Sequence, residues 1–126
     1  IIFHPGITKN LDAIIKKLSG VVDVGLALDW ETPINVIEPF LGKIDTVQVM
    51  GIKRIGFQGE PFEESTIDKV AILHEKYPQL AISVDGGVNL ENARQLIKAG
   101  ATRLVIGSAI FENDNLKTTI EKFKSL

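Results

Sequence analysis

Short aliphatic runs alternate with segments of helical periodicity along the whole chain, and this alternation limits the folds that the chain can adopt. The runs cover residues 21–28, 46–50, 81–85 and 103–106, and residues 1–4 are typical of the last part of a further run. Aliphatic and β-branched runs with little polar interruption suit strands that helices cover on at least one face. The repeated strand–helix order therefore predicts an α/β fold with a parallel sheet.

Five segments between or after these runs place apolar residues three and four positions apart, which predicts a helix in each segment. The apolar stripes are Leu11, Ile14, Ile15 and Leu18; Ile34, Ile37, Phe40 and Leu41; Ile67, Val70, Ala71 and His74; Leu90, Ala93, Leu96 and Ile97; and Leu116, Ile120 and Phe123. Thr32, Asn89 and Asp114 precede three of these stripes as candidate helix caps. Gly100 follows the fourth stripe at a position that ends a helix.

The composition excludes several functional classes. The chain has 14 Lys and Arg residues against 16 Asp and Glu residues, with both signs interspersed, so it lacks the basic stripe of a nucleic-acid-binding protein. No apolar run approaches the roughly 20 residues that a membrane-spanning helix needs. The absence of cysteine excludes disulfides, thiolate metal sites and cysteine nucleophiles. It permits the cytosol, which is the default compartment. No linker or low-complexity tract divides the chain, so we expect a single domain over residues 1–126.

Glycines follow two consecutive predicted strands. Asp85 ends the first strand and is followed by Gly86 and Gly87, whereas Gly107 and Ser108 follow the second strand. Glycine lets backbone N–H groups approach an anion, and the N-terminus of a helix adds a favourable partial charge. Two such strand ends in succession favour a phosphate-binding site over the alternative, in which the glycines only form tight turns.

Asp85 itself has two interpretations. At the end of an arbitrary strand, an aspartate is most often a helix cap or the partner of a nearby lysine. Beside a phosphate site at the carboxyl edge of the sheet, where barrel enzymes keep their catalytic groups, a general acid/base or a metal ligand is favoured. We therefore expect Asp85 to be catalytic or metal-binding.

Six stretches of the chain together resemble one known family. They are Val24-Gly25-Leu26-Ala27-Leu28, Thr32-Pro33-Ile34, Val49-Met50, Gly56-Phe57, Val84-Asp85-Gly86-Gly87 and Gly107-Ser108-Ala109-Ile110-Phe111. Their order and spacing are similar to those of ribulose-phosphate 3-epimerases, from the end of the fourth strand through the eighth helix of the barrel. The resemblance covers essentially all of this chain and about half of the family's length. It implies half of a (βα)8 barrel and a role in interconverting ribulose 5-phosphate and xylulose 5-phosphate.

The resemblance also implies roles for individual residues. Asp85 matches one of the two aspartates that exchange the C3 proton through an enediolate. Phosphate-binding positions of the family match Gly56, Gly86, Gly87, Gly107 and Ser108. Met50 matches a methionine that lines the substrate pocket, and His4 matches a histidine at the end of the fourth strand. In the family a divalent metal (Zn, Fe, Mn or Co) is held by two histidines and both aspartates, so Asp85 would bind a metal only with partner ligands.

Other features depart from the family pattern. The metal-binding histidines and the second aspartate of the family belong to its N-terminal half, and this chain begins within an aliphatic run, so we expect that half to be absent here. His74 is expected to be structural. The family's loop Asn-Pro-Gly-Phe-Gly-Gly-Gln is replaced here by residues 53–59. Lys53 or Arg54 in this loop could pair with a phosphate. The favoured interpretation, however, is that their side chains are solvated charges on the loop. The chain alone is therefore expected to have little or no epimerase activity and to hold no cofactor.

Half of a parallel barrel leaves two sheet edges unpaired, which is a liability. Pairing of two chains about a two-fold axis would cover both edges as a homodimer, and a missing N-terminal half would also cover them. Three functions stay open from the residues. They are an isolated epimerase half that binds phosphate or a sugar phosphate, a fragment of an active full-length epimerase, and a non-catalytic, self-assembling half of another phosphate-binding barrel.

Overall fold

The computed structural model describes residues 1–6, 8–57 and 59–126, and these residues contain one parallel sheet. Its five strands lie side by side in chain order: β1 (Ile2–Phe3), β2 (Gly25–Leu28), β3 (Thr46–Met50), β4 (Ala81–Asp85) and β5 (Arg103–Val105). The register pairs Met50 with Asp85 and Asp85 with Val105, so β3, β4 and β5 end at the same level. The predicted parallel α/β fold is confirmed, and the bounds of β3 and β4 are those that the sequence predicts.

Helices connect the strands and cover one face of the sheet. They are α1 (Leu11–Leu18), α2 (Ser65–Lys76), α3 (Leu90–Ala99), α4 (Ser108–Phe111) and α5 (Leu116–Lys124), with a 3₁₀ helix at Ile34–Phe40. Asn89 caps α3 through hydrogen bonds that its side chain accepts from the backbone N–H groups of Glu91 and Asn92. Gly100 ends α3 in the left-handed conformation, as its position predicts. No helix among the described residues has the length and apolar character needed to span a bilayer.

Two predicted elements differ from the structure. The segment after Thr32 is a 3₁₀ helix rather than an α-helix, because Pro39 lies inside it and proline cannot donate the hydrogen bond that an α-helix requires. Strand β2 begins at Gly25 instead of residue 21. The N–H groups of Val21 and Val22 both bond to the carbonyl oxygen of Leu18, so a turn occupies that part of the predicted strand.

The core lies between the sheet and the helices. Alternate strand residues point into it and are fully buried: Leu26 and Leu28 of β2, Val47 and Val49 of β3, and Ile82 and Val84 of β4. They pack with Ile15 of α1, Val70 and Leu73 of α2, and Leu96 of α3. Because side chains alternate along a strand, Gln48, Ser83 and Asp85 lie on the opposite face, which a closed barrel would enclose.

The buried faces of three helices differ from the predicted stripes. In α3 Ile97, which the stripe predicts to be buried, is 42% exposed. In α2 the side chains of Thr66 and Leu73 are buried, whereas Ala71 and His74 are exposed. In α5 Thr119 is buried, Leu116 is 45% exposed and Asn115, rather than Asp114, is the cap. Helix α5 packs against α3 and α4 on one side, so part of its apolar stripe has no neighbour within the described chain.

Candidate functional site

The carboxyl ends of β3, β4 and β5 surround a cavity of about 300 Å³. Strands of a parallel sheet all end at the same edge, so residues that follow different strands meet there. Seven of the eight positions predicted from the sequence line this cavity: Met50, Gly56, Asp85, Gly86, Gly87, Gly107 and Ser108. The sequence therefore identified a group of residues that the fold brings together.

The turn after β4 strongly favours glycine at two successive positions. Gly86 and Gly87 have φ angles of 103° and 66°, in the region that side-chain-bearing residues rarely adopt. A Cβ atom on Gly87 would lie 2.9 Å from the Cα atom of Phe62, and one on Gly86 would lie 2.8 Å from a side-chain carbon of Ile52. The two glycines thus bring the main chain of the turn close to the β3–α2 loop, at the wall of the cavity.

Asp85 is the residue of β4 that lines the cavity. The side chain is partly buried, and this burial raises the pKa of the Asp85 carboxyl above its ordinary value. Gln48 lies two residues before the end of β3, and its Nε2 atom donates a hydrogen bond to Oδ2 of Asp85 at 3.1 Å. The same Nε2 atom lies 3.7 Å from the sulfur of Met50. Alternation predicts that Gln48 faces inward, but no motif in the sequence indicates its bond to Asp85.

His4, the eighth predicted position, lies elsewhere on the same edge of the sheet. It lines a separate cavity of about 430 Å³ together with Ala27, Asp29 and Ile55. Its Nδ1 atom is 3.1 Å from Oδ1 of Asp29, which follows β2. Ile55 also lines the cavity that contains Asp85, so this one side chain borders both spaces.

Lys69 of α2 holds the loop that carries Asp29. Its Nζ atom donates hydrogen bonds to the carbonyl oxygens of Asp29, Trp30 and Thr32 at 2.8, 2.7 and 3.0 Å. Partial burial lowers the pKa of Lys69. The sequence does not single out Lys69, because a lysine on an amphipathic helix is typical of a solvated face. The available signal is its position one residue before the buried Val70.

Both cations of the β3–α2 loop are paired with carboxylates. Arg54 forms a two-pronged pair with Glu60, and its Nε atom lies 3.0 Å from Oε2. The Nζ atom of Lys53 is 3.3 Å from Oε1 of Glu63 and 4.8 Å from the centre of the Trp30 ring. Each of these cations therefore has a specific carboxylate partner within the protein, whereas the favoured prediction is a solvated loop charge. Gln58, in the same predicted loop, lies outside the described residues.

The residues around Asp85 do not form a metal site by themselves. In the described parts of the chain there is no group of three or more His, Cys, Asp or Glu residues that could hold a metal ion. The groups within reach of the Asp85 carboxylate include an amide donor on Gln48, and an amide N–H repels a cation. Asp85 could therefore serve a metal only with ligands from outside these residues.

A sheet of parallel strands in chain order, with a cavity at its carboxyl edge and glycine turns in the cavity wall, defines a protein of the (βα)8-barrel class. Comparison with known proteins identifies the family within that class. A sequence model of the Ribulose-phosphate 3 epimerase family matches residues 1–111. The chain belongs to this family.

Curated relatives agree with that assignment. The chain is 37% identical to the ribulose-phosphate 3-epimerase of Buchnera aphidicola subsp. Baizongia pistaciae, over 98% of this chain and 56% of the relative. It is 35% identical to the enzyme of Schizosaccharomyces pombe, over 98% of this chain and 54% of the relative. The chain thus spans about half the length of the curated relatives that it matches.

Solved structures share the fold at lower identity. KGPDC from Streptococcus mutans, in complex with D-R5P, superimposes with a TM-score of 0.72 and 18% identity, over 98% of this chain and 59% of that chain. Thiamine phosphate pyrophosphorylase from Pyrococcus furiosus gives a TM-score of 0.69 and 15% identity, over 98% and 56% of the two chains. At these identities the comparison establishes the fold, which is that of half of a (βα)8 barrel.

Proposed function

We propose that the cavity at the ends of β3, β4 and β5 binds the phosphate of a pentulose 5-phosphate, and that Asp85 is one acid/base group of a 3-epimerase site. The observation that supports this proposal is the convergence of five predicted phosphate positions around one cavity: Gly56, Gly86, Gly87, Gly107 and Ser108. Backbone N–H groups at glycine turns and the Ser108 hydroxyl are suitable donors for phosphate oxygens.

The position of Asp85 suits the proposed chemistry. Asp85 directly precedes Gly86, so a sugar whose phosphate binds at the glycine turns keeps its carbon chain near the carboxylate. As a base, Asp85 would take the C3 proton, and the electron pair of the broken C–H bond would form the enediolate with the C2 carbonyl. Return of a proton to the opposite face of C3 inverts that carbon. The raised pKa of Asp85 favours proton uptake and release nearer neutral pH.

We propose that the second proton-exchanging group comes from outside the described residues, because one carboxylate cannot serve both faces of C3 and Glu60, the other acid that lines the cavity, is paired with Arg54. Any divalent metal would likewise need ligands beyond those that the described residues bring to Asp85. We therefore propose little or no epimerase activity for this chain alone, together with retained binding of phosphate or of a sugar phosphate. The cytosol is the compartment that we propose from the cysteine-free composition.

A partner that completes the sheet is part of the proposal. Three apolar side chains at or after the last strand are exposed: Val105 of β5 (40%), Phe111 of α4 (76%) and Leu116 of α5 (45%). An apolar surface therefore lies beside that strand. A (βα)8 barrel needs three strands beyond the five seen here, whereas two copies of this chain would supply ten. Strand number thus favours a complementary segment of three strand–helix units over the predicted homodimer. The exposed apolar surface also agrees with the alternative of a non-catalytic, self-assembling half barrel.

Calorimetric titration tests the proposed ligand. We expect D-ribulose 5-phosphate to bind the chain and D-ribulose, which lacks the phosphate, to bind at least tenfold more weakly. Ser108→Asp should abolish binding, because it adds a negative charge where the phosphate is held. Ser19→Asp is the control, since Ser19 follows α1 at the opposite edge of the sheet. Equal affinity of the parent chain for both sugars would overturn the proposed phosphate site.

A further inference from the structure

The charges that line the proposed phosphate cavity are unfavourable for an anion. Its charged lining residues are Asp85 and Glu60, and among the described residues no Lys or Arg side chain lines it. A phosphate monoester carries nearly two negative charges at neutral pH. Two carboxylates at short range would repel such a ligand, so the cavity needs a compensating cation close by.

Arg54 is that cation. Its guanidinium forms the two-pronged pair with Glu60 and lies 5.0 Å from the centre of the Phe57 ring, which itself lines the cavity. The Glu60 side chain is only 14% exposed, whereas that of Arg54 is 67% exposed. Arg54 therefore sits at the rim and reaches inward to a largely enclosed carboxylate.

Two of the five N–H donors of the guanidinium are used by Glu60, which leaves three for another acceptor. Planar guanidinium groups bind phosphate oxygens well because several donors lie in one plane. The same group can thus neutralise Glu60 and contact a phosphate that enters past Phe57. Lys53, the neighbouring cation, pairs instead with Glu63, which does not line the cavity.

We propose that the Arg54–Glu60 pair sets the selectivity of the cavity for a dianionic phosphate ester, with Arg54 as the cation that both neutralises Glu60 and contacts the ligand. This inference rests on the proposed phosphate site and adds the residues that make it accept a dianion. It also gives a role to Arg54 and Glu60, which the uncharged glycines of the same loop cannot fill.

Four chains test the pair: the parent, Arg54→Gln, Glu60→Gln and the double variant, each titrated calorimetrically with D-ribulose 5-phosphate. We expect Arg54→Gln to weaken binding about tenfold or more, since it leaves Glu60 unneutralised and removes the ligand contact. Glu60→Gln should bind several-fold more tightly than the parent. The double variant should bind more tightly than Arg54→Gln alone but more weakly than Glu60→Gln.

Lys53→Gln is the matched control, because it removes a cation from the same loop without exposing a carboxylate to the cavity. It should bind like the parent. Binding to the parent should also weaken between about 50 and about 500 mM salt, and Arg54→Gln should show a smaller dependence.

The outcomes separate this inference from the proposed function. Equal affinities of the parent and Arg54→Gln would overturn the role of the pair while leaving the phosphate site intact. Equal weakening by Arg54→Gln and Glu60→Gln would also overturn it, since that pattern is expected of a pair that only holds the loop in place. Absence of binding in all four chains would overturn both proposals. Binding to Glu60→Gln alone would overturn the role of Arg54, since it would show that Arg54 does not offset Glu60 enough for the parent to accept the ligand.

Discussion

The side-chain amide of Gln48 donates a hydrogen bond to the carboxylate of Asp85 at 3.1 Å, across the boundary between β3 and β4. The two residues lie at successive levels of the inner face, since Gln48 pairs in register with Ser83 and Met50 pairs with Asp85. The bond fixes the orientation of the carboxylate that we propose as an acid/base group. Two opposing effects therefore act on Asp85: burial disfavours its charge and the Gln48 amide favours it.

Replacing Gln48 should shift that balance. We expect Gln48→Leu to raise the pKa of Asp85 further, because it removes a donor that stabilises the ionised carboxylate. The shift can be followed through the carboxyl carbon resonance of Asp85 during a pH titration by NMR. Gln79→Leu, at an exposed position, is the control and should leave the resonance unchanged. An unchanged or lowered pKa in Gln48→Leu would show that the amide does not support the charged form.

Asp85 should also make the stability of the chain depend on pH. Because its pKa is raised on folding, the folded state binds a proton more tightly than the unfolded state does. The stabilisation that this proton provides is full below the ordinary aspartate pKa and is lost as the pH rises through the folded-state value. Asp85→Asn should therefore unfold at a higher urea concentration than the parent at pH ~7. Its free energy of unfolding should exceed that of the parent by less than about 1 kcal/mol after solvent screening, and the two chains should be equally stable at pH ~3.

A control separates this effect from general loss of charge. Asp114→Asn removes an exposed carboxylate and should change stability little at either pH. If Asp85→Asn lowered the free energy of unfolding at neutral pH, the ionised carboxylate of Asp85 would stabilise the folded chain, which would contradict this prediction.

Lys69 offers a test of how the loop after β2, which carries Asp29, is held in place. We expect Lys69→Met to lower the free energy of unfolding by about 2 kcal/mol, because three carbonyl oxygens lose a charged donor. The same change should release the loop at Asp29 and weaken its contact with His4, which the imidazole resonances of His4 would report. Lys98→Met, on the exposed face of α3, should cost less than about 0.5 kcal/mol. Equal stability of the two variants would contradict a structural role for Lys69.

The elements that the sequence predicted well are those whose local pattern and tertiary packing agree. Strand β4 is an uninterrupted aliphatic run that ends at Asp85, and Asn89 and Gly100 are strong signals for the two ends of α3. Most of the candidate site could be predicted for the same reason, since consecutive parallel strands bring their following residues to one edge.

The remaining features depend on contacts between segments that are far apart in the sequence. The bonds of Gln48 with Asp85 and of Lys69 with residues 29–32 join positions separated by about 37 residues or more, and no local pattern encodes them. The exposure of part of the α5 stripe could not be predicted, because periodicity identifies an apolar face but not the surface that covers it. The 3₁₀ helix reflects a single residue, Pro39, within an otherwise helical pattern.

The turn at Gly87 provides the most direct link between backbone conformation and the proposed ligand. Gly87→Ala places a side chain at a φ of 66° and sets its Cβ 2.9 Å from the main chain of Phe62, which cannot move aside as a flexible side chain could. We expect a loss of about 1–3 kcal/mol in stability, measured by urea unfolding, and a loss of D-ribulose 5-phosphate binding in the fraction that stays folded. Gly6→Ala is the matched control, since a Cβ atom there meets nothing within 4 Å and the backbone φ is not positive. Parent-like binding by a folded Gly87→Ala chain would mean that the phosphate does not depend on the conformation of this turn.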